Sequence, residues 1–252
     1  MDALITGVIA LACVFGGALV GMFFRKRVPD EYQGSDSKDV VRLGMGLVVT
    51  TVALALGLLV GSAKSFYDTQ NAEMAQLGAK YIMLDRILAY YGPEAADARA
   101  ELRSVLAQHL EMPGRLMAPK SYMDIRSGVQ IADTLFDKID RLSPKDDSQR
   151  YYKQQSLNQG IQLGELRWLM YEQNTVPFPR FLLVMLVSWL IALFVSFGIF
   201  APRNPLVLAG LFVSATAVCG AILLILAMYH PTGLLIRMSD APLKAAIKQL
   251  GR

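Results

Sequence analysis

Four stretches of this chain run for twenty residues or more without one Asp, Glu, Lys or Arg, and between the second and third the apolar positions fall instead at every third or fourth residue. The long runs are Ala3–Phe24, Leu43–Ala63, the residues between Arg180 and Arg203, and Leu206–Tyr229. A helix needs about 20 apolar residues to cross a bilayer, so each run predicts a membrane span: 3–24, 43–63, 181–202 and 206–229. Residues 64–180 predict amphipathic helices. Met74, Leu77, Tyr81, Leu84, Leu88 and Tyr91 keep the helical period up to Gly92-Pro93. Ala98, Leu102, Val105 and Leu106 mark a second helix, ending before Met112-Pro113-Gly114. Ile125, Val129, Ala132, Leu135, Ile139 and Leu142 mark a third. A fourth opens at Ser143-Pro144-Lys145-Asp146, read as a serine cap with proline at the first helical position, and runs to about Glu172. No strand alternation of useful length occurs. The predicted fold is an all-α membrane protein of four transmembrane helices, with an extramembrane helical bundle (64–180) inserted between spans two and three. A short tail (230–252) follows, and residues 1–252 form a single domain.

Composition agrees. Apolar residues make up 54% of the chain and charged ones 18%, below the usual quarter. The first span lacks a basic n-region, having only Asp2 before it and Arg25-Lys26-Arg27 after it, so it reads as a retained span rather than a signal peptide. Cys13 and Cys219 both fall inside spans and read as small buried hydrophobes. Residues 64–180 carry acids and bases in equal number, which gives no basic stripe for nucleic acid. No enzyme is predicted. His109 and His230 stand without a second His or Cys at metal-ligand spacing, no strand precedes a glycine-rich phosphate loop, and no catalytic residue, metal site or cofactor is assigned. The spans hold none of the ionisable residues that pumps keep in the membrane. Trp189 reads as packing. The tail sets Leu243, Ala246, Ile247 and Leu250 against Lys244 and Lys248, a short helix for a membrane surface or a neighbouring subunit.

The second span passes into the polar helix with no proline or turn signal between, through LLVGSAKSFYDTQNAEMAQL, residues 58–77. On a helical wheel Gly46, Thr50, Ala53, Gly57 and Gly61 share one narrow face, which Lys64 and Asp68 continue into water; Val48, Val52, Leu59 and Phe66 lie opposite. Small residues four apart let helices approach closely in lipid. Two readings follow. The seam packs within the chain and Lys64 snorkels, or copies of the helix surround an axis. In the second, Thr50, Ala53, Gly57 and Gly61 line a pore and Lys64 forms a basic ring at its mouth, which favours anions.

Three stretches carry a family resemblance: SKDVVRLGMGLVVTTVALALGLLVGSAKSFYDTQ (37–70), RWLMYEQNTVPFPRFLLVMLVSWLIALFVSFGIFAPRNP (167–205) and GLLIRMSDAPLKAAIKQL (233–250). Together they resemble the bestrophin-like family of bacterial membrane proteins, itself distantly similar to bestrophins. The resemblance implies four spans per subunit, a cytoplasmic helical region, a homo-oligomeric ring (five subunits in bestrophins) and a pore lined by the second span, with a small anion as permeant. The chain departs from bestrophins after span two, where only Tyr67 of their Asn-x-x-Tyr-x-Arg-Trp-Trp-Glu pattern is in place. It departs again after span four, where Tyr229-His230-Pro231-Thr232-Gly233 has only Asp240 as a nearby acid, too few oxygen ligands for calcium. An acid usual in the closer family near Ala227 is also missing.

Orientation evidence conflicts. Arg25, Lys26 and Arg27 after span one place the amino terminus outside, whereas the resemblance places both termini and the helical region in the cytoplasm. Counted over short segments the two faces carry nearly equal charge, and the expectation follows the resemblance: a multi-pass bacterial inner-membrane protein. The expected function is a passive, anion-selective channel, and the alternative is a non-conducting scaffold or sensor relaying membrane events to a partner protein.

Overall fold

The computed structural model describes residues 3–25, 35–111, 133–175, 180–202, 204–229, 236 and 238–251, and no strand occurs among them. Helices are α1 (Ala3–Phe24), α2 (Ser35–Tyr91), α3 (Ala96–Glu111), α4 (Asp147–Thr175), α5 (Arg180–Phe200), α6 (Pro205–Tyr229) and α7 (Ala241–Gln249). A further helical stretch covers 133–140. Four helices are long and apolar enough to cross a membrane: within Leu4–Phe24, Asp39–Tyr91, Phe181–Phe200 and Pro205–Tyr229. The chain divides into two compact units, Met1–Tyr67 with Phe178–Arg237, and Asp68–Pro177 with Met238–Arg252.

In the first unit α1 packs along both α5 and α6. Its core is Val14 and Ala18 of α1, Leu190 and Phe194 of α5, and Ala215 and Ile222 of α6, with Val52 and Ala63 supplied by α2. Glycine makes the α1–α5 contact possible. A Cβ at Gly21 would lie 2.1 Å from the Val195 carbonyl oxygen, and one at Gly198 would lie 2.1 Å from that of Ala18. The two backbones touch there, leaving room for no side chain. Cys219 is buried in this core as expected of a small hydrophobe, while Cys13 is exposed. Trp189 packs against the core. The Arg25 guanidinium donates to the Ala201 carbonyl, tying the end of α1 to the chain beyond α5.

The second unit has the core that the helical period predicts. Leu77, Tyr81, Leu84 and Leu88 of α2 meet Leu102 and Leu106 of α3, joined by Leu135, Ile139 and Met170. Ile125, Val129, Ala132, Met112-Pro113-Gly114 and His230 lie outside the described residues. Helix α2 ends where Gly92 adopts φ +123°, backbone that side chains resist, and the Gln149 amide donates to the freed Tyr91 carbonyl at 3.1 Å. The cap of α4 is Asp146 rather than Ser143: its Oδ1 accepts from the Gln149 backbone N–H at 2.7 Å, the geometry of an N-cap. Helix α4 pairs antiparallel with α2. Gln173 donates to Glu73 at 2.8 Å, Lys80 to Gln162 at 2.9 Å, and Tyr90 stacks on Tyr152 with centroids 5.7 Å apart.

The tail departs from expectation. Leu243 and Ala246 of α7 and Leu250 just beyond it are buried in the second unit's own core, with Ile247 packed against it, so this apolar stripe is not available to lipid. The stripe faces inward because Gly78 lets α7 approach α2 closely; a Cβ there would stand 3.0 Å from the Pro242 carbonyl oxygen. The Gly251 backbone N–H then donates to Asp85 Oδ2 at 3.1 Å. Asp85 is buried and takes two bonds from Arg99, at 2.8 and 2.9 Å. Burial pushes its carboxyl up. The Arg99 hydrogen bonds, the Gly251 amide and the charges of Arg99 and Arg86 outweigh that, and its pKa lies below the ordinary carboxylate value.

His109 is neutral in this core. Burial, with the Arg167 charge adding to it, lowers its pKa from 6.5 to about 3. Its Nδ1 is 2.9 Å from the buried Tyr81 hydroxyl, whose pKa burial raises to about 12 against the opposing pull of Arg167.

Gly21→Val should destabilise the first unit by about 1–3 kcal/mol through overpacking, read as a lower melting temperature in detergent. Gly16→Val, where a Cβ meets nothing within 4 Å, should cost far less; equal effects would contradict the α1–α5 contact. The depressed His109 pKa means that the unfolded chain takes up the proton first as pH falls below 6.5. Stability is therefore lost on the way from 6.5 toward 3. Between about pH 7 and pH 5 this amounts to about 1–2 kcal/mol. His109→Gln should flatten the fall in melting temperature over that window, and an unchanged slope would contradict the assignment.

Candidate functional site

Helix α2 is 57 residues long and unbroken, about three times the length a bilayer requires. Among the described residues of the first unit, its stretch is packed along one side. Within the first unit Val52 and Ala63 are buried, and Met45, Val48, Leu56 and Leu59 pack beside them. Phe66 stacks on Tyr229 with ring centroids 5.0 Å apart, and the Ser62 and Tyr229 hydroxyl oxygens lie 3.3 Å apart, fastening α2 to the end of α6. Val48, Val52, Leu59 and Phe66, the side opposite the glycines, are thus the packed side.

The glycine-bearing side is exposed. Gly46, Thr50, Ala53, Gly57, Gly61 and Lys64 all lie at the chain's surface, and a Cβ added at Gly46, Gly57 or Gly61 would meet nothing within 4 Å. Of the two readings, the one in which this seam packs within the chain is not met among the described residues. The intramolecular glycine seam is between α1 and α5, where Gly17 and Gly21 stand four apart in the first span; that spacing was the sequence signal for it. On α2 the small face runs on beyond Lys64 and Asp68 through Ala72, Ala75 and Ala79, all exposed.

Chemically this face is sparse. The Thr50 hydroxyl donates to the Gly46 carbonyl at 2.9 Å, which satisfies its proton and leaves the oxygen able to accept. Lys64 is the first base after the uncharged run. The face offers backbone and hydroxyl oxygens at its centre and a cation at one end, with no nucleophile–base pair. His109 lies in the second unit, its Nδ1 2.9 Å from the Tyr81 hydroxyl. No group of three or more His, Cys, Asp or Glu that could hold a metal occurs among the described residues. A cavity of about 20 Å³ in the second unit, lined by Tyr81, Val105, Phe136, Leu163 and Arg167 among others, has room for about one water.

Residues 12–233 match the bestrophin-like domain family. The fold is similar to the crystal structure of a bacterial bestrophin homologue from Klebsiella pneumoniae bearing a tryptophan-to-alanine mutation. The TM-score is 0.67 at 13% identity, covering 99% of this chain and 97% of that one. No curated protein matches.

Proposed function

The chain belongs to the bestrophin-like family, and from that premise we propose that it forms a passive, anion-selective channel as a homo-oligomeric ring with α2 nearest the axis. The observation that carries this reading is the free small-residue face of α2. A helix in lipid gains by packing a face of Gly, Ala and Thr against another helix, yet no part of the described chain fills this one. Surrounding a shared axis, copies of that face present Thr50, Ala53, Gly57 and Gly61 to the pore, and Lys64 closes the run as a ring of positive charge. Such a ring lowers the energy of an anion at the mouth and raises that of a cation. Because its cause is charge alone, the preference weakens as salt rises.

In this reading the second unit is an extramembrane helical bundle inserted between spans two and three. The protein sits in the bacterial inner membrane with that bundle and both termini cytoplasmic. The Phe66–Tyr229 stack holds α2 in rotation at the membrane boundary, so that Lys64 keeps its bearing toward the axis.

Purified protein in planar bilayers should give unitary currents under a chloride gradient, and silent bilayers would favour a non-conducting scaffold. Lys64→Glu should move the reversal potential toward the cation equilibrium potential. An unchanged reversal potential would remove Lys64 from the permeation path.

A further inference from the structure

The outer face of α4 carries Ile161, Trp168 and Leu169, each about half exposed at 51%, 55% and 50%. Large apolar side chains grouped on one face of an extramembrane helix mark an interaction surface. Glu165 and Glu172 are exposed on the same face. Helix α7 presents the opposite character. Its apolar stripe is buried, which turns Ala241, Lys244, Ala245 and Lys248 outward, all exposed. Two alanines make a shallow shelf flanked by two ammonium groups, of which Lys244 already pairs with Asp240 at 2.9 Å, so that Lys248 carries most of the shelf's positive charge.

These two surfaces lie on opposite flanks of α2. Helix α4 meets α2 at Glu73 and Lys80, and α7 meets it at Gly78 and Asp85. At about 100° per residue the two pairs of positions stand about 140° apart around α2. The free face of Ala72, Ala75 and Ala79 is centred about 110° from each. Within the second unit the free face of Ala72, Ala75 and Ala79 therefore has α4 to one hand and α7 to the other.

We propose that the α4 face of one copy seats on the α7 shelf of the next, with Trp168 lying over Ala245 and the Lys248 stem, and Glu165 and Glu172 facing Lys244 and Lys248. This rests on the ring reading above and names the contact that closes it. The alternative self-contact, α4 against α4, sets Glu165 and Glu172 opposite their own copies, a like-charge juxtaposition that disfavours it. A contact between two different surfaces is heterologous, and repeated about an axis it generates a ring rather than a two-fold dimer.

The test is disulfide trapping in a background carrying Cys13→Ala and Cys219→Ala. Full-length protein in membranes bearing both Trp168→Cys and Ala245→Cys, oxidised with copper phenanthroline, should give a ladder of covalent multimers on a non-reducing gel. Either substitution alone should give none. Dimers from Trp168→Cys alone would overturn the proposal. So would the absence of a ladder from a double variant whose native mass shows a multi-subunit assembly, leaving the ring in place with its contact elsewhere. A native mass of one chain for the wild type would overturn both the contact and the ring. Charge exchange supplies a second readout. Glu165→Lys or Lys248→Glu alone should lower the fraction of assembled protein, and the two together should restore it; no restoration would count against the pairing.

Discussion

Hydrocarbon offers the backbone no hydrogen-bond partner but itself, so a chain crossing it must stay helical until water or other protein can satisfy the freed groups. Helix α2 meets that constraint and then goes well past it, from Ser35 to Tyr91 without interruption. Residues of this helix enter the core of each unit. Val52 and Ala63 join the first core, and Leu77, Tyr81, Leu84 and Leu88 join the second. On the other side an added Cβ at Gly46, Gly57 or Gly61 meets nothing within 4 Å, and Ala72, Ala75 and Ala79 are exposed. That open face of α2 is the feature on which the proposed ring, pore and neighbour contact rest.

The two glycine seams show how much of this was legible from sequence. Gly17 and Gly21 in the first span and Gly57 and Gly61 in the second share the same spacing. In α1 Gly21 is pressed against the Val195 backbone, whereas on α2 both glycines are open. Spacing reports that a face can accept a close neighbour; which neighbour takes it is decided by the other helices. The four long apolar helices were readable, because four runs of twenty or more residues carry no charge. So was the core of the second unit, whose buried positions keep the helical period.

What the sequence left open were choices between physically equivalent partners. The stripe of Leu243, Ala246 and Leu250 would suit a bilayer surface as well as a protein core, and only the close approach at Gly78 decides for the core. Ser143 and Asp146 are both capping residues, and the hydrogen bond to Gln149 selects Asp146. Tyr81 and His109 are 28 residues apart, with no local pattern to join them. The candidate site was legible as a face of α2, while its exposure required the packing of α1, α5 and α6.

In the proposed channel the small-residue face of α2 is wet in the assembled membrane protein. Cysteines placed singly at Thr50, Ala53, Gly57 and Gly61, in a background lacking Cys13 and Cys219, can be challenged with a membrane-impermeant, negatively charged thiosulfonate. Cysteines at Val8 and Val20, exposed apolar positions of α1, serve as the lipid-facing comparison. Modification is expected at the α2 positions and protection on α1. Glycine-face cysteines as unreactive as those on α1 would contradict it.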